Sequence, residues 1–270
     1  MNKKRLPVLV ALLISLLSLT LIIIYLLSIT NDRKVTKSVR DLPEIMESKT
    51  LNVVTEYNSI DFHVAGGAFA GFQYELCRFI AQRSGLTIQI HLENDLKTAI
   101  RKLNNNVYDV IAQRIPITEE NKQFLAFTVP ITQNRQVLVQ RKRKDTDYGL
   151  FIANQLDLAN RTIHVPRNSP TILRLKNLAE EIAEPIYIKE IAGCTSEQLI
   201  NRVAEKRIDY AVVDREIALK YATLFPDLDF HIDIGFTQLQ AWALRKTSPL
   251  LSDSLNVWIT EFKQNRSNSR

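Results

Sequence analysis

The chain has 270 residues, of which 46% are hydrophobic and only 7 are glycine and 9 proline, a composition typical of folded proteins. Its formal net charge of +6 lies in the first 40 residues, where seven Lys and Arg accompany a single Asp. The rest of the chain carries 28 basic and 28 acidic side chains, so this neutral part gives no electrostatic argument for binding nucleic acid.

The first thirty residues have the pattern of a membrane anchor. After Lys3, Lys4 and Arg5, the 25 residues from 6 to 30 contain no charge. As a helix they would span about 37 Å, enough to cross a hydrocarbon core of about 30 Å. A cleaved signal peptide is the alternative, but its apolar region would be about 7–15 residues long and would end in a small-residue cleavage site. The sequence therefore predicts a retained anchor over residues 1–30 and a polar stalk over residues 31–50.

The orientation of this anchor is not fixed by charge, because basic residues flank both ends of the apolar segment. A short N-terminal tail on one side and a large neutral domain on the other favour a domain outside the cell. We therefore expect a single-pass protein of the cytoplasmic (inner) membrane, with its folded domain on the periplasmic or extracytoplasmic side.

From residue 51 the sequence alternates between strand and helix patterns. Strands are predicted at residues 51–55, 86–90 and 107–112, with a loop from Glu56 to Ala70 after the first. Apolar side chains at positions 72, 76, 79 and 80 predict a helix that ends near Gly85, and a second helix is predicted over residues 96–103. This alternation predicts an α/β domain with a mainly parallel sheet and helices on both faces.

A second unit repeats this pattern after an extended stretch over residues 132–144, whose final basic run is interpreted as a solvated loop. Strands are predicted at residues 161–165, 186–188 and 210–213. Pro170 lies where the first turn of a helix would begin, and Thr195 and Gln198 have the spacing of a capping box.

Cys77 and Cys194 lie far apart in the sequence, in different predicted units. We expect two buried free thiols, with a disulfide in an oxidising compartment as the alternative. Because no CxxC or Cys/His cluster is present, the sequence predicts no metal site and no cofactor.

Six short motifs follow one another along the chain, at residues 71–76 (GFQYEL), 108–112 (YDVIA), 115–118 (IPIT), 127–130 (FTVP), 208–214 (IDYAVVD) and 241–245 (AWALR). In this order and spacing they resemble the family 3 extracellular solute-binding proteins, most of which bind amino acids. The resemblance implies an α/β, two-lobed type II periplasmic-binding fold with hinge strands, whose lobes close on a small-molecule ligand. This fold would follow the transmembrane helix predicted above from the uncharged N-terminal segment. The resemblance places lobe one at residues 51–135 and 236–265, and lobe two at residues 136–235.

Carried over onto these positions, the resemblance implies ligand-binding residues in loops after the strands, where parallel sheets bind ligands. Phe62 would stack on the ligand and Asp214 would pair with its amino group, whereas residues 168–171 open a helix suited to an anionic group. Helix capping explains Ser169 and Thr171 almost as well. The predicted ligand-binding residues are Asn58, Asp61, Phe62, Arg114, Thr118, Asn168, Ser169, Thr171 and Asp214.

The sequence also departs from the family pattern. Asn121 occupies the position of the arginine that clamps the α-carboxylate in amino-acid binders, and Pro116 replaces a threonine. Arg114 replaces a glycine, and it either supplies the missing positive charge or fills the pocket. Free α-amino acids are therefore a doubtful ligand.

Residues 72–76 are more similar to the binding domain of membrane-bound lytic transglycosylase F-like proteins, in which a lysozyme-like catalytic domain follows. The sequence ends at Arg270 without such a domain, so we expect no enzyme activity and no catalytic residues. Two functions are predicted: a solute receptor serving an ABC permease, or a non-catalytic sensor or regulatory partner of cell-wall lytic transglycosylases. A dehydratase on the same fold, with Asp61 or Asp214 as general acid, is a third alternative.

Overall fold

A computed structural model describes residues 20, 22, 40–143 and 150–268. The predicted anchor over residues 1–30 lies outside these residues apart from Thr20 and Ile22. No helix among the described residues is long and apolar enough to cross a membrane.

Residues 40–50, predicted as part of the stalk, belong to the folded unit, which begins at Arg40. Asp41 caps helix α1 (Leu42–Ser48) through a capping box. Its two carboxylate oxygens also accept hydrogen bonds from the backbone N–H groups of Leu250 and Leu251, at 3.1 and 2.8 Å. The polar composition of this segment therefore reflects capping and pairing within the fold, and not solvation as a stalk.

Lobe one is built on a mixed six-stranded sheet in the order β4-β1-β5-β13-β6, with β7 beside β13. Strands β4, β1 and β5 are parallel, as the alternating pattern predicts, and β13 returns antiparallel to β5. The strands are β1 (Thr50–Thr55), β4 (Thr87–Leu92), β5 (Val110–Pro116), β6 (Ala126–Phe127), β7 (Thr132–Asn134) and β13 (Gln238–Leu244). The helices of this lobe, with α1, are α2 (Phe72–Ser84), α3 (Leu96–Asn104), α4 (Glu119–Phe124) and α8 (Pro249–Asn268).

Lobe two is built on a five-stranded sheet in the order β10-β9-β11-β8-β12. Its strands β10, β9 and β11 are parallel, and β8 runs antiparallel to β11. The strands are β8 (Gln136–Arg141), β9 (Thr162–Pro166), β10 (Tyr187–Ile191), β11 (Ala211–Asp214) and β12 (Leu228–Asp229). The helices are α5 (Thr171–Ile182), α6 (Ser196–Ala204) and α7 (Arg215–Ala222), with a 3-10 turn at Gln155–Leu158.

Several local predictions are confirmed. The helix with apolar positions 72 to 80 ends at Ser84 with Gly85 as a left-handed C-cap, and Thr195 and Gln198 form a capping box at the start of α6. Pro170 is the N-cap of α5. Both cysteine thiols are buried and free, each in the core of its own lobe.

Two local predictions are wrong. The segment from Glu56 to Ala70 is not entirely a loop, because β2 (His63–Ala65) and β3 (Ala68–Ala70) form a hairpin around two glycines. Arg141, predicted to begin a solvated loop, ends β8 instead. Its guanidinium donates to the carbonyl of Ile208 at 3.0 Å and forms an ion pair with Asp209.

Two extended segments connect the lobes. One crosses between β7 and β8 at Arg135, and the other runs from β12 back to β13. Asp233 joins them, because its two carboxylate oxygens pair with Arg135 at 2.6 Å and with Arg215 at 2.8 Å. A hinge motion of the lobes would change the backbone dihedral angles of these two segments.

Candidate ligand-binding cleft

A cavity of about 90 Å³ lies between the two lobes. Its walls come from the carboxyl ends of parallel strands: Glu56 follows β1, Pro116 ends β5, Arg167 follows β9 and Asp214 ends β11. Open α/β sheets bind ligands in the crevice outside the carboxyl ends of their strands. The cavity is therefore where the fold would hold a small molecule.

The cleft is closed by polar contacts between the lobes. Glu197 Oε1 of lobe two accepts the backbone N–H of Ser59 of lobe one at 2.8 Å. Asn168 Nδ2 donates to Asp95 Oδ2 at 2.6 Å, and Arg114 forms an ion pair with Glu216 across the gap. These contacts hold the lobes around the cavity.

On the lobe-one side, five side chains form what we call the lobe-one network: Asn58, Asp61, Gln73, Arg114 and Trp242. Asp61 accepts from Asn58 Nδ2 at 3.0 Å, from Gln73 Nε2 at 3.1 Å and from Arg114 Nε at 2.7 Å. Gln73 Oε1 in turn accepts from Trp242 Nε1 at 2.7 Å. Each of these polar groups is paired within the network, as buried polar groups in folded proteins usually are.

Gly71 lets this network form. Its φ of 116° is in a region that residues with a Cβ rarely adopt, and a Cβ there would lie 2.4 Å from the backbone oxygen of Asp61. The close approach allows the N–H groups of Phe72 and Gln73, at the start of α2, to donate to the carbonyls of Ile60 and Asp61, each at 2.9 Å. The free N-terminal amides of α2 thus fix the loop that carries Asp61.

Arg114 is enclosed by acids. Its guanidinium donates to Asp61 and to Glu216, its side chain is 7% exposed, and it lies 5.8 Å from the ring centroid of Phe72. Burial would lower the pKa of Arg114, but the charges of Asp61 and Glu216 raise it above its ordinary value. The sequence left two interpretations of Arg114: it supplies a positive charge to the ligand, or its side chain fills the pocket. The structure favours the second, because the chain's own carboxylates already neutralise the guanidinium.

Two carboxylates that line the cavity have strongly perturbed pKa values. Burial raises the pKa of Glu56 to about 8, with the charges of Asp61, Asp214 and Glu197 adding to the shift and Arg114 opposing it. Burial likewise raises the pKa of Asp214 to about 6, although Arg114 and a hydrogen bond from Gln136 oppose the shift. The cleft is therefore an acidic site in which ionisation is costly until a positive group enters.

Asn168, Ser169 and Thr171 line the lobe-two side of the cavity. The N–H of Thr171 donates to Ser169 Oγ at 3.2 Å, and the N–H of Ile172 donates to the Ser169 carbonyl at 3.1 Å. The first amides of α5 thus already have acceptors, which agrees with the capping interpretation of Ser169 and Thr171. Asn168, with a φ of 55°, instead contacts Asp95 of lobe one.

The remaining predicted positions are distributed as follows. Asn58, Arg114 and Asp214 line the cavity, whereas Asp61 lies behind it. Phe62 does not face a ligand: its ring packs at 5.2 Å from Phe69 and 6.0 Å from Tyr74 inside lobe one. The reason is the hairpin after it, which supplies Phe69 as an aromatic partner that the sequence pattern did not reveal.

Thr118 also lies away from the cavity. Its Oγ1 accepts from the N–H of Asn121 at 3.1 Å as the N-cap of α4, and it lines a separate outer groove. Asn121 donates from Nδ2 to the carbonyl of Pro116 at 2.9 Å. The position of the family's clamping arginine is thus occupied here by a side chain that stabilises a turn.

Sequence reasoning missed Glu56, Gln136 and Gln240, which line the cavity. It also missed Glu197 and Glu216, which contact lobe one from lobe two. Glu56 directly follows the first strand, so the rule that ligands bind beyond strand carboxyl ends could have identified it. Glu197 and Glu216 lie in the first turns of α6 and α7, where an acid is ordinarily explained by the helix dipole. In residues 40–143 and 150–268 no group of three or more His, Cys, Asp or Glu side chains is arranged to hold a metal ion.

The chain belongs to the bacterial extracellular solute-binding proteins, family 3, whose family model matches residues 51–270. This is the class that the two lobes, the hinge and the closed cleft define. The fold prediction of two periplasmic-binding-type lobes is confirmed by this match and by the solved structures that it resembles.

Among curated proteins, the chain is similar to membrane-bound lytic murein transglycosylase F of Desulfosudis oleivorans, with 28% identity over 85% of this chain and 49% of that protein. The protein of the same name from Methylobacillus flagellatus is 24% identical over 83% of this chain and 48% of its own length. The chain therefore spans about half the length of these relatives.

Two of the solved structures similar to the chain are described as binding proteins. The arginine-bound form of truncated ArgBP from T. maritima is 25% identical, with a TM-score of 0.68, and the match covers 82% of this chain and 100% of that one. An amino acid ABC transporter substrate-binding protein, AbpA from Streptococcus pneumoniae, bound to L-arginine, is 17% identical with a TM-score of 0.68 over 83% of this chain and 93% of that one. The second likeness supports the fold alone.

Proposed function

We propose that the chain is a membrane-anchored extracytoplasmic solute-binding protein that closes by hinge motion on a small polar ligand, amino-acid-like or derived from peptidoglycan. The observation that carries this proposal is the cavity between the lobes, lined from both sides by polar groups at strand ends. A site assembled from two lobes binds only when they close, which couples ligand binding to a change of shape. An ABC permease is a partner able to read that change.

The anchor in this proposal rests on the uncharged residues 6–30 and on the basic residues before them. In this proposal the folded domain lies on the outer side of the cytoplasmic membrane, the orientation favoured by a short N-terminal tail on one side and a large neutral domain on the other. Accessibility of the domain to protease in intact spheroplasts tests this arrangement. Protection of the domain until the membrane is dissolved would contradict it.

A ligand screen tests the binding function. The full chain, purified in detergent, is heated with amino acids, amines, small acids and muropeptides, each near 100 times a target Kd, where a ligand stabilises the fold by about 2.7 kcal/mol. We expect at least one compound to raise the Tm of the wild type and of Glu184→Gln, an exposed change outside the cleft. The same compound should have less effect on Asp214→Asn. If no compound of the panel shifts the wild type, the binding function is refuted.

A second candidate function is a non-catalytic sensor or regulatory partner of cell-wall lytic transglycosylases. The similarity to proteins named membrane-bound lytic murein transglycosylase F favours it. The full chain is added to a transglycosylase F digesting purified peptidoglycan, and the release of soluble muropeptides is followed. A changed rate with the wild type, absent with heat-denatured protein, supports this role, and an unchanged rate rejects it.

A further inference from the structure

We infer that the cleft binds a small organic cation without a carboxylate group, a primary amine or a guanidine, in preference to a zwitterionic α-amino acid. This inference rests on the proposed binding function and specifies its ligand class. It follows from three observations: the charges around the cavity, the state of its one buried cation, and the hydrogen-bond acceptors that lack donors.

The charges around the cavity are predominantly negative. Glu56 and Asp214 line it, and Asp61, Glu197 and Glu216 stand close behind them. Two cations line the cavity, Arg114 and Arg167, and Arg167 is exposed and acts on Asp95. Lys220 is also exposed, and it donates to the carbonyl of Ser59. A positive ligand would relieve the repulsion among these acids, whereas a ligand carboxylate would add to it.

The buried cation of the cleft, Arg114, is already occupied by carboxylates of the chain itself. Arg114 donates from Nε to Asp61 Oδ1 at 2.7 Å and from Nη1 to Glu216, so two carboxylates of the chain already neutralise its single charge. The Glu216 carboxylate thus pairs with Arg114 in the way that the carboxylate of an amino-acid ligand would. The first amides of α5, the other anion-binding feature of the cleft, already donate to Ser169.

The cavity instead presents acceptors that need donors. Glu56 makes no hydrogen bond or ion pair with the residues that the structure describes. Gln136 donates from Nε2 to Asp214 at 3.4 Å, which orients its Oε1, a buried atom without a donor. Gln240 also lines the cavity, and its buried Oε1 lacks a donor. An ammonium or guanidinium group carries only donors, so it matches this set.

Matched ligand pairs test the inference, because agmatine, putrescine and cadaverine differ from L-arginine, L-ornithine and L-lysine only by the carboxylate. Each compound is titrated into the full chain in detergent by calorimetry near neutral pH. We expect each amine to bind at least about tenfold more tightly than its amino acid. If the amino acid of every pair binds equally well or better, or if no amine binds, the inference is overturned.

Variants separate the ligand class from general charge effects. Glu56→Gln and Asp214→Asn should each weaken binding of the amines by about tenfold or more, whereas the exposed Glu184→Gln should leave it unchanged. Far-UV circular dichroism shows whether each variant is folded. If Asp214→Asn is not folded, Glu56→Gln alone carries the binding test. Equal weakening by all three variants would mean nonspecific attraction and would overturn the inference.

Glu216→Gln gives the opposite test. The substitution removes one of the two carboxylates that pair with Arg114. Because the Glu216 side chain is 40% exposed, the fold should tolerate the change. The variant should gain affinity for L-arginine relative to agmatine by several-fold, because Arg114 can then receive the carboxylate. An unchanged ratio would contradict the role given to Arg114.

The same measurements distinguish failure of this inference from failure of the proposed function. If neither the amines nor any other compound of the wider panel binds the wild type, the proposed function fails together with the inference. If amino acids bind and amines do not, only the inference fails.

Discussion

The two walls of the cleft differ in how far their polar groups are already satisfied. The lobe-one network pairs its members with one another, from Asn58 through Asp61 to Trp242. On the lobe-two wall, Gln136 and Asp214 line the cavity, and the buried Oε1 of Gln136 lacks a donor. Glu56 of lobe one lines the same cavity. Paired groups stabilise the fold, whereas unpaired groups in a cavity are available to a ligand. The comparison therefore assigns a structural role to the lobe-one network and a binding role to Glu56 and the lobe-two groups that line the cavity.

Removing the centre of the lobe-one network should have the largest effect on stability. In Asp61→Ala, Arg114 loses its buried partner and Asn58 and Gln73 lose an acceptor, so the free energy of unfolding should fall by about 3–5 kcal/mol. Urea denaturation of the full chain measures it, with the exposed Asp253→Ala as a control expected to change it by less than about 0.5 kcal/mol. A similar small loss in both variants would show that the network is not structural.

A matched pair of glycine variants should have a smaller effect. Gly71 and Gly85 both have positive φ, so alanine at either position costs about 1–3 kcal/mol of backbone strain. At Gly71 the added Cβ would also meet the backbone of Asp61, whereas at Gly85 it would meet no atom within 4 Å. We expect Gly71→Ala to be the more destabilising variant in urea denaturation. Equal losses would mean that the Asp61 loop moves freely and is not fixed by α2.

Substituting Glu56, which lines the cavity, should change the pH dependence of stability more than it lowers stability. The pKa of Glu56 rises from 4.5 to about 8 on folding, so between these values the folded state retains a proton that the unfolded state has lost. The contribution of Glu56 to stability must therefore fall as pH rises through this window. Glu56→Gln removes the titrating group, and its Tm should gain on the wild type between about pH 5 and about 8. Parallel Tm profiles for the two proteins would contradict the raised pKa.

Much of the fold was predictable from local pattern. The apolar spacing at positions 72 to 80, the capping pair Thr195 and Gln198, and the alternation of strands and helices each depend on neighbours within one or two turns. The resemblance of short motifs supplied the two lobes and pointed to Arg114 and Asp214, which line the cavity. Local pattern failed where the chain is folded by distant partners, as in residues 40–50, which pair with the start of α8.

The state of each cleft residue was decided only by the tertiary structure. Asp61 and Arg114 are 53 residues apart in sequence, and Arg114 and Glu216 are 102 apart, so no periodicity could show that they neutralise one another. For the same reason Phe62, a cleft residue by position, is drawn into the lobe by Phe69 and Tyr74. The sequence by itself determined the order of the elements, because propensity and apolar spacing are local. Which charges remain for a ligand depends on pairing across the lobes, and that is settled only when the two walls meet.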